Sequence, residues 1–301
     1  MADRTRWRWL VVALFALAAL SFAACGGDDD DDDGGGETAA EVEQFPSGTT
    51  MAELQQAGEI TIGVKFDVPP FGFLNPQSGD VEGFDVDLGK AIAENLGVQP
   101  NFIEAISDNR IPFLMDGTVD LILSTMTITR ERDAEIDFSE PYYIAGGRVL
   151  VPEDSDITGV QDLGGRRVCT ARGSTYQVSI KQQTPDAQLR LVDTYSECFE
   201  LIQNGAVDAV STDNVILTGM IVQDPSLKMV GEEYTTEPYG AGIVQGDTEF
   251  KEFVDGVITE YKEDGRWEEA YQKWVGQYIP ESEHQDPPTM TLEEALKVAP
   301  E

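Results

Sequence analysis

From Glu59 onward, short apolar and β-branched runs alternate with stretches whose apolar positions recur at helical spacing. "EITIGVK" (59–65) reads as a strand, as do "LILS" (121–124), "RVCT" (167–170), "LRLVD" (189–193) and "VDAVST" (207–212). "FDVDLGKAIAENLG" (84–97) reads as a helix stopped by Gly97, because glycine takes the left-handed C-terminal position without steric cost. "TEFKEFVDGVITEYKEDG" (248–265) puts Phe250, Phe253, Val254, Val257, Ile258 and Tyr261 on one helical face, with Gly265 as its stop. This alternation predicts an α/β fold with largely parallel strands.

One pattern occurs twice. "MDGTVDLILST" (115–125) and "QNGAVDAVSTD" (203–213) share a helix end, a glycine, Val-Asp, an apolar strand and Ser-Thr. Two equivalent units predict two similar lobes; the alternative is chance likeness between short strand–helix junctions. Each copy sets hydroxyls at the carboxyl end of a strand, where open α/β sheets bind ligands.

The first residues break the pattern. Arg4, Arg6 and Arg8 precede an apolar run from Trp9 to Leu20 and then "SFAAC" (21–25), the layout of a secretory signal over residues 1–24. The run is short for a membrane span. Ala23-Ala24-Cys25-Gly26 resembles a bacterial lipobox, with Cys25 as the lipidated residue and Phe22 where leucine is usual. Ordinary cleavage nearby is the alternative. Six consecutive aspartates (28–33) between glycines cannot bury apolar surface, so residues 25–54 are expected to be a solvated linker. The run lacks the spaced ligands and turn glycine of a calcium loop, and no metal or cofactor is expected.

The 301 residues suffice for two lobes. A net charge of −36 repels phosphate backbones and argues against nucleic-acid binding. Beyond Cys25 only Cys169 and Cys198 remain. In an exported chain they can oxidise, so a bridge is expected over two buried thiols.

The second lobe's strand ends at Asp213, an acceptor and an anion. Past the matching strand of the first lobe stand Thr125, Thr127 and Arg132, whose planar fork suits a carboxylate. A cation on one lobe and an anion on the other suit a zwitterion such as an α-amino acid. Gly173-Ser174-Thr175 begins a helix whose N-terminal amides also favour an anion.

On these residues the chain resembles the bacterial extracellular solute-binding proteins of family 3. "GFDVDLGKAIAENL" (83–96), "MTITRERDAEIDFSEPYY" (126–143) and "VDAVSTDN" (207–214) are similar to its three hallmarks. "NRIPFL" (109–114) and the cysteine pair resemble its actinobacterial glutamate-binding lipoproteins and its aspartate/glutamate binders. The resemblance implies a two-lobed periplasmic-binding-protein-like fold of type II over residues 55–280. Lobe 1 would comprise about 55–144 and 241–280, lobe 2 about 145–240, with two hinge strands near Ala145-Gly146-Gly147 and Pro238-Tyr239-Gly240. It also implies a lipid-anchored monomer on the outer face of the membrane, handing an amino acid to ABC permease subunits.

Carried over by position, Arg132 and Thr127 would take the ligand's α-carboxylate, helped by Ser174. Thr125 and Asp213 would hold its ammonium. Lys65 and Arg110 fall where binders of acidic side chains carry cations, with Arg110 expected to act more strongly, and Ser107 falls at a contact position. Ala171 stands where glutamine binders carry lysine, which argues against amide recognition of that kind. The competing readings keep Lys65 at the surface, pair Arg110 with Glu104 or Asp108, and pair Arg132 with Glu131 or Asp133. Phe71 and Phe73 either line the cleft or pack their loop.

Glutamate and then aspartate are the expected ligands; a neutral polar amino acid such as glutamine or asparagine is the alternative. Some dehydratases share the fold, but an enzyme needs a general acid or base in the cleft, and the sole histidine, His284, lies in the tail. No catalytic residue is therefore assigned. A sensory binder without a permease is the third reading. In residues 281–301, "TLEE" (291–294) starts a short helix that Pro287-Pro288 separates from the domain.

Overall fold

A computed structural model describes residues 43–300. The expected signal, Cys25 and the aspartate run lie outside the described residues.

The first lobe is built on a five-stranded sheet in the order Gln99–Glu104, Glu59–Val64, Leu121–Ile122, Gly242–Ile243, Asp137–Phe138. Its first three strands are parallel, with Ile62 opposite both Phe102 and Leu121, whereas Gly242–Ile243 runs antiparallel between its neighbours. Ile60, Ile62 and Val64 are fully buried, as a parallel strand covered on both faces requires. The helix Phe84–Leu96 packs on this sheet and ends at Gly97 in the left-handed conformation, as expected.

The second sheet runs Gln188–Val192, Arg167–Ala171, Ala209–Asp213, Tyr143–Pro152, Leu227–Val230. Again three strands are parallel, and Tyr143–Pro152 runs antiparallel to both of its neighbours, so in each sheet four of the five strands share one direction, as expected of largely parallel strands. The duplicated motif explains the likeness between them. Asp120 accepts the amide of Thr61 (2.7 Å) and returns its own amide to Thr61 O; Asp208 does the same with Arg167 (2.7 Å). In each copy the Val-Asp aspartate pins its strand to the neighbouring one.

Tyr143–Pro152 leaves the first lobe and enters the second sheet, and Thr236–Tyr239 returns antiparallel to it, with Ala145 opposite Glu237 and Tyr143 opposite Tyr239. These are the two hinge strands. Beneath them Phe71, Phe84, Tyr142, Tyr143, Tyr239, Trp267 and Tyr271 form a fully buried aromatic cluster, and Trp267 Nε1 donates to Tyr142 O (2.7 Å). Phe71 is one of its members and Phe73 packs edge-on against Trp274, so both pack their loop. Cys169 and Cys198 are bonded, tying a strand of the second sheet to the helix Tyr195–Gln203.

Three elements differ from expectation. Ordered packing begins before residue 55: Phe45 meets Phe253 edge-on, and the helix Thr50–Ala57 buries Met51 and Leu54. The long helix is Thr248–Glu263, capped by Asp264, and Gly265 instead starts the next helix, Arg266–Trp274. The tail is not separate. Its capping box forms at Thr291 and Glu294, but the helix Leu292–Val298 docks on the first lobe and buries Ala295 completely.

Candidate functional site

Six charged side chains, three of each sign, gather where the lobes meet: Lys65, Arg110, Arg132, Asp85, Asp213 and Glu237. All but Arg132, which is partly exposed, are buried to within 4% of complete. Burying so many charges is costly unless each finds hydrogen-bond partners, so their partners reveal their roles.

Lys65 follows the first strand and is 2% exposed; its Nζ donates to Ser107 Oγ at 2.8 Å. It is no surface residue. Burial, and then the charge of Arg110, lower its pKa to about 7. Arg110 pairs with neither Glu104 nor Asp108. Its Nε donates to Ser107 O (3.2 Å), Nη1 to Ser124 O (3.0 Å) and Thr125 O (3.2 Å), and Nη2 to Gly173 O (3.3 Å). Four of its five N–H groups thus meet protein carbonyls, leaving one. Burial and neighbouring Arg132 lower its pKa to about 9.

Arg132 sits in the short helix Arg130–Asp133, which Thr129 caps by accepting the Arg132 amide. Its Nη1 donates to Thr127 O (2.6 Å) and its Nη2 to Gly173 O (3.0 Å), rather than to Glu131 or Asp133. Three N–H groups remain, enough for a bidentate carboxylate. Gly173 belongs to the second lobe, so two arginines of the first lobe clamp one carbonyl of the other. Only glycine fits there: φ is +74°, and a Cβ would stand 2.6 Å from Asp108 Cα.

The strand expected over 121–124 pairs only through Leu121–Ile122, because the chain turns sharply at Thr125, which has a φ of +44°. That conformation costs about 1–2 kcal/mol in a residue with a Cβ. Asp85, from the helix Phe84–Leu96, offsets it by accepting the Thr125 amide (2.8 Å) through Oδ2 and the Tyr142 hydroxyl (2.8 Å) through Oδ1. Desolvation raises the Asp85 pKa to about 7 against those donors. Its neighbour Asp87 takes Lys273 Nζ (2.7 Å) and Trp274 Nε1 (2.6 Å). Of the acidic pair in "GFDVD", Asp85 therefore supports the turn that presents Thr125, and Asp87 holds the helix Arg266–Trp274.

On the second lobe, Asp213 ends its strand 4% exposed and accepts the Tyr176 hydroxyl at 3.0 Å. Burial, and then the charge of Glu237, raise its pKa to about 7. Ser174 reaches the cleft mouth, but its hydroxyl donates back to Ala171 O (2.7 Å). A cavity of about 460 Å³ opens there, lined by Ser107, Arg110 and Arg132 from one lobe and Gly173, Ser174 and Thr175 from the other.

Of the residues expected at the site, Ser107, Arg110, Arg132 and Ser174 line this cavity, whereas Lys65, Thr125, Thr127 and Asp213 are buried and do not line it, although the charges of Arg110, Arg132 and Asp213 act on Lys65. Two buried acids there had escaped the sequence reading. Asp85 was visible as the constrained aspartate of a motif; Glu237 carried no signal, because its partners are distant in sequence.

Two mixed α/β lobes, two hinge strands and a charged cleft define a solute-binding protein, and residues 60–277 match the model of the bacterial extracellular solute-binding proteins, family 3. The chain belongs to that family, in the class of amino-acid ABC substrate-binding proteins. It is similar to the ABC transporter glutamine-binding protein GlnH of Bacillus subtilis, at 36% identity over 88% of this chain and 95% of that one. It is 33% identical to the glutamate-binding protein GluB of Corynebacterium efficiens, over 73% of this chain and 80% of that one. The solved structure of an ancestral arginine-binding protein bound to glutamine superposes with a TM-score of 0.70 at 38% identity, covering 73% of this chain and 98% of that one. Among the described residues no helix is long and apolar enough to cross a membrane.

Proposed function

We propose that this chain captures an acidic amino acid, glutamate before aspartate, between its lobes and delivers it to an ABC permease while anchored by lipid at Cys25. The observation that carries the ligand class is the burial of Lys65 and Arg110 with hydrogen bonds to neutral groups only. Arg132, with three N–H groups left, receives the α-carboxylate together with Thr127. Asp213 and the Thr125 turn receive the ammonium, and Ser174 borders the mouth. These groups account for the head shared by every amino acid. Asp85 already accepts one donor at each oxygen, from the Thr125 amide and the Tyr142 hydroxyl, which leaves Lys65 and the last N–H of Arg110 for the side chain. A side-chain carboxylate compensates them; an amide leaves buried cations unpaired.

The names of the relatives divide between glutamine and glutamate. The cation pair, and Ala171 in the place where lysine was expected for amide binders, support the acidic choice. Binding without chemistry fits a cleft whose arginines are held by carbonyls, and His284 packs away from it on the Tyr271 ring (5.9 Å).

Calorimetry of refolded, ligand-free protein against glutamate, aspartate, glutamine and asparagine tests the reading. Glutamate should bind tightest. Glutamine binding equally well or better would overturn the acidic assignment, and formation of an aromatic product from prephenate would overturn binding without catalysis. Cys25→Ser should release the protein from the membrane; unchanged retention would overturn the anchor.

A further inference from the structure

Glu237 stands on the returning hinge strand, opposite Ala145, and is completely buried. Its Oε2 accepts two hydroxyls. Thr127 Oγ1 donates from the first lobe at 2.7 Å, and Thr175 Oγ1 donates from the second at 3.0 Å. Its Oε1 is also buried, without a hydrogen-bond partner in the protein. One oxygen of a hinge residue thus gathers a donor from each lobe, and both bonds are charge-assisted when the carboxylate is ionised.

Such a tie has a geometric condition. Thr127 lies beyond the first sheet's central strand, and its backbone bridges Tyr239 beside the hinge. Thr175 precedes the helix Tyr176–Gln183, which belongs wholly to the second lobe. Glu237 can accept from both only while the lobes are together. If they part, at least one threonine returns to water and the buried carboxylate loses one of these two hydroxyl donors.

The arrangement also settles what Thr127 offers a ligand. A hydroxyl has a single proton, and Thr127 gives it to Glu237. Toward a bound carboxylate only its backbone amide can donate. Glu237 therefore orients the residue assigned to the α-carboxylate and leaves the charge recognition there to Arg132.

We propose that Glu237 is the closure latch of the cleft, a positioning residue that joins Thr127 of one lobe to Thr175 of the other. This rests on the two-lobed binding function, not on the choice of glutamate as ligand.

The test compares full-length processed protein with Glu237→Ala, Glu237→Gln and Thr175→Val. Thr175→Val removes only the second lobe's half of the tie and leaves every assigned ligand residue in place. Stopped-flow dissociation is measured for whichever of glutamate, aspartate, glutamine and asparagine binds tightest. Losing a charge-assisted bond made only in the closed state should raise the dissociation rate about tenfold in Thr175→Val and Glu237→Ala. Association rates and the melting temperature of Thr175→Val should hold. Glu237→Gln keeps an acceptor oxygen and should fall between. The double variant Glu237→Ala/Thr175→Val should dissociate no faster than Glu237→Ala, since both remove one tie.

Additive effects, or unchanged dissociation in Thr175→Val, would overturn the latch. If Glu237→Ala does not fold, Thr175→Val alone decides. Should none of the four amino acids bind the wild type, it is the functional reading that has failed, and scattering of ligand-free protein then tests the latch. Thr175→Val must show a larger radius of gyration than wild type; identical curves would overturn it.

Discussion

The Lys65 ammonium donates to the Ser107 hydroxyl across 2.8 Å, and both residues are buried at the ends of adjacent parallel strands. Because that partner is neutral, two N–H groups of the Lys65 ammonium stay available to a ligand. Arg110, beside it, has already committed four of five. On these partners we propose that Lys65 acts more strongly than Arg110 on the ligand's side chain. Lys65→Met should weaken glutamate by about 2–5 kcal/mol and affect glutamine much less. Arg110→Met should weaken both ligands and lower the melting temperature, because four carbonyls lose their donor. Titrating each variant with both amino acids checks this; equal losses in Lys65→Met would remove the acidic side chain from Lys65.

The pH dependence follows from the same groups. The Asp213 carboxyl is raised to about 7 by burial and by Glu237, and a bound ammonium draws it down. The Lys65 ammonium is lowered to about 7 by burial and by Arg110, and a bound side-chain carboxylate draws it up. Glutamate affinity should therefore peak near pH 7. It should fall toward acid as Asp213 protonates and toward alkali as Lys65 deprotonates, about tenfold per unit on each limb. Glutamine should show the acid limb alone, and Lys65→Met should erase the alkaline limb for glutamate. In ligand-free protein the raised Asp213 favours folding below its unfolded value of 3.8, a contribution lost as pH rises through about 7. The lowered Lys65 contributes above its unfolded value of 10.5, and that contribution is lost as pH falls through about 7. Calorimetry from pH 5 to about 9 would show the two limbs, and a flat profile would exclude both groups from binding.

What the sequence revealed and what it hid divide along a physical line. Strands such as Glu59–Val64 and the helix Phe84–Leu96 were legible because their cause is local: alternation, period and a stopping glycine. The repeated Val-Asp was legible as a pattern, although its purpose, bonding the neighbouring strand's amide, needed the sheet. Glu237 was illegible because it meets Thr127 across 110 residues and Thr175 across 62, through a hinge register that no local signal encodes. Strand 121–124 was read too long for a related reason. Asp85 holds Thr125 in a left-handed turn from 40 residues away, overriding the β-rich run.

The disulfide gives a prediction independent of charge. Cys169 lies in the strand leading to Gly173-Ser174, and Cys198 lies 29 residues on, in the helix Tyr195–Gln203. Closing a loop of that length removes unfolded-state entropy worth about 3–4 kcal/mol. Reduction, or Cys169→Ala with Cys198→Ala, should lower thermal stability accordingly. Ligand affinity should fall less, because Cys169 supports the Gly173 loop without reaching the ligand. Calorimetric melting with and without reductant measures the first effect, and an unchanged transition would show the bond carries no stability.

The tail gives the last prediction, since docking makes it part of the fold although it lies beyond the family match at 60–277. Leu292, Ala295 and Leu296 share a face of the helix Leu292–Val298, at the one-turn spacing that brings side chains together. Ala295 is fully buried in the cluster formed by Ala105, Leu114, Val119, Ile122, Met126, Ile128, Ile136 and Phe138, with Met290, Leu292 and Leu296 packed around it. The Leu292 amide donates to Glu140 Oε2 at 2.6 Å, fixing where the helix begins. Removing residues 281–301 would forfeit the burial of three half-buried apolar side chains and uncover their partners. At roughly 1 kcal/mol each, the loss is about 3 kcal/mol, or about 6–12 °C in melting temperature for a domain of this size. Ala295→Asp should cost at least as much, because the helix must undock or bury an unpaired charge. The ranking of glutamate over glutamine should survive both changes, since Lys65 and Arg110 owe none of their hydrogen bonds to the tail. Melting curves and paired titrations of the truncated protein check the two halves separately. An unchanged melting temperature would mean the helix is an appendage, and a changed ranking would mean its end at Pro300, on the wall of the cleft mouth, takes part in selecting the ligand.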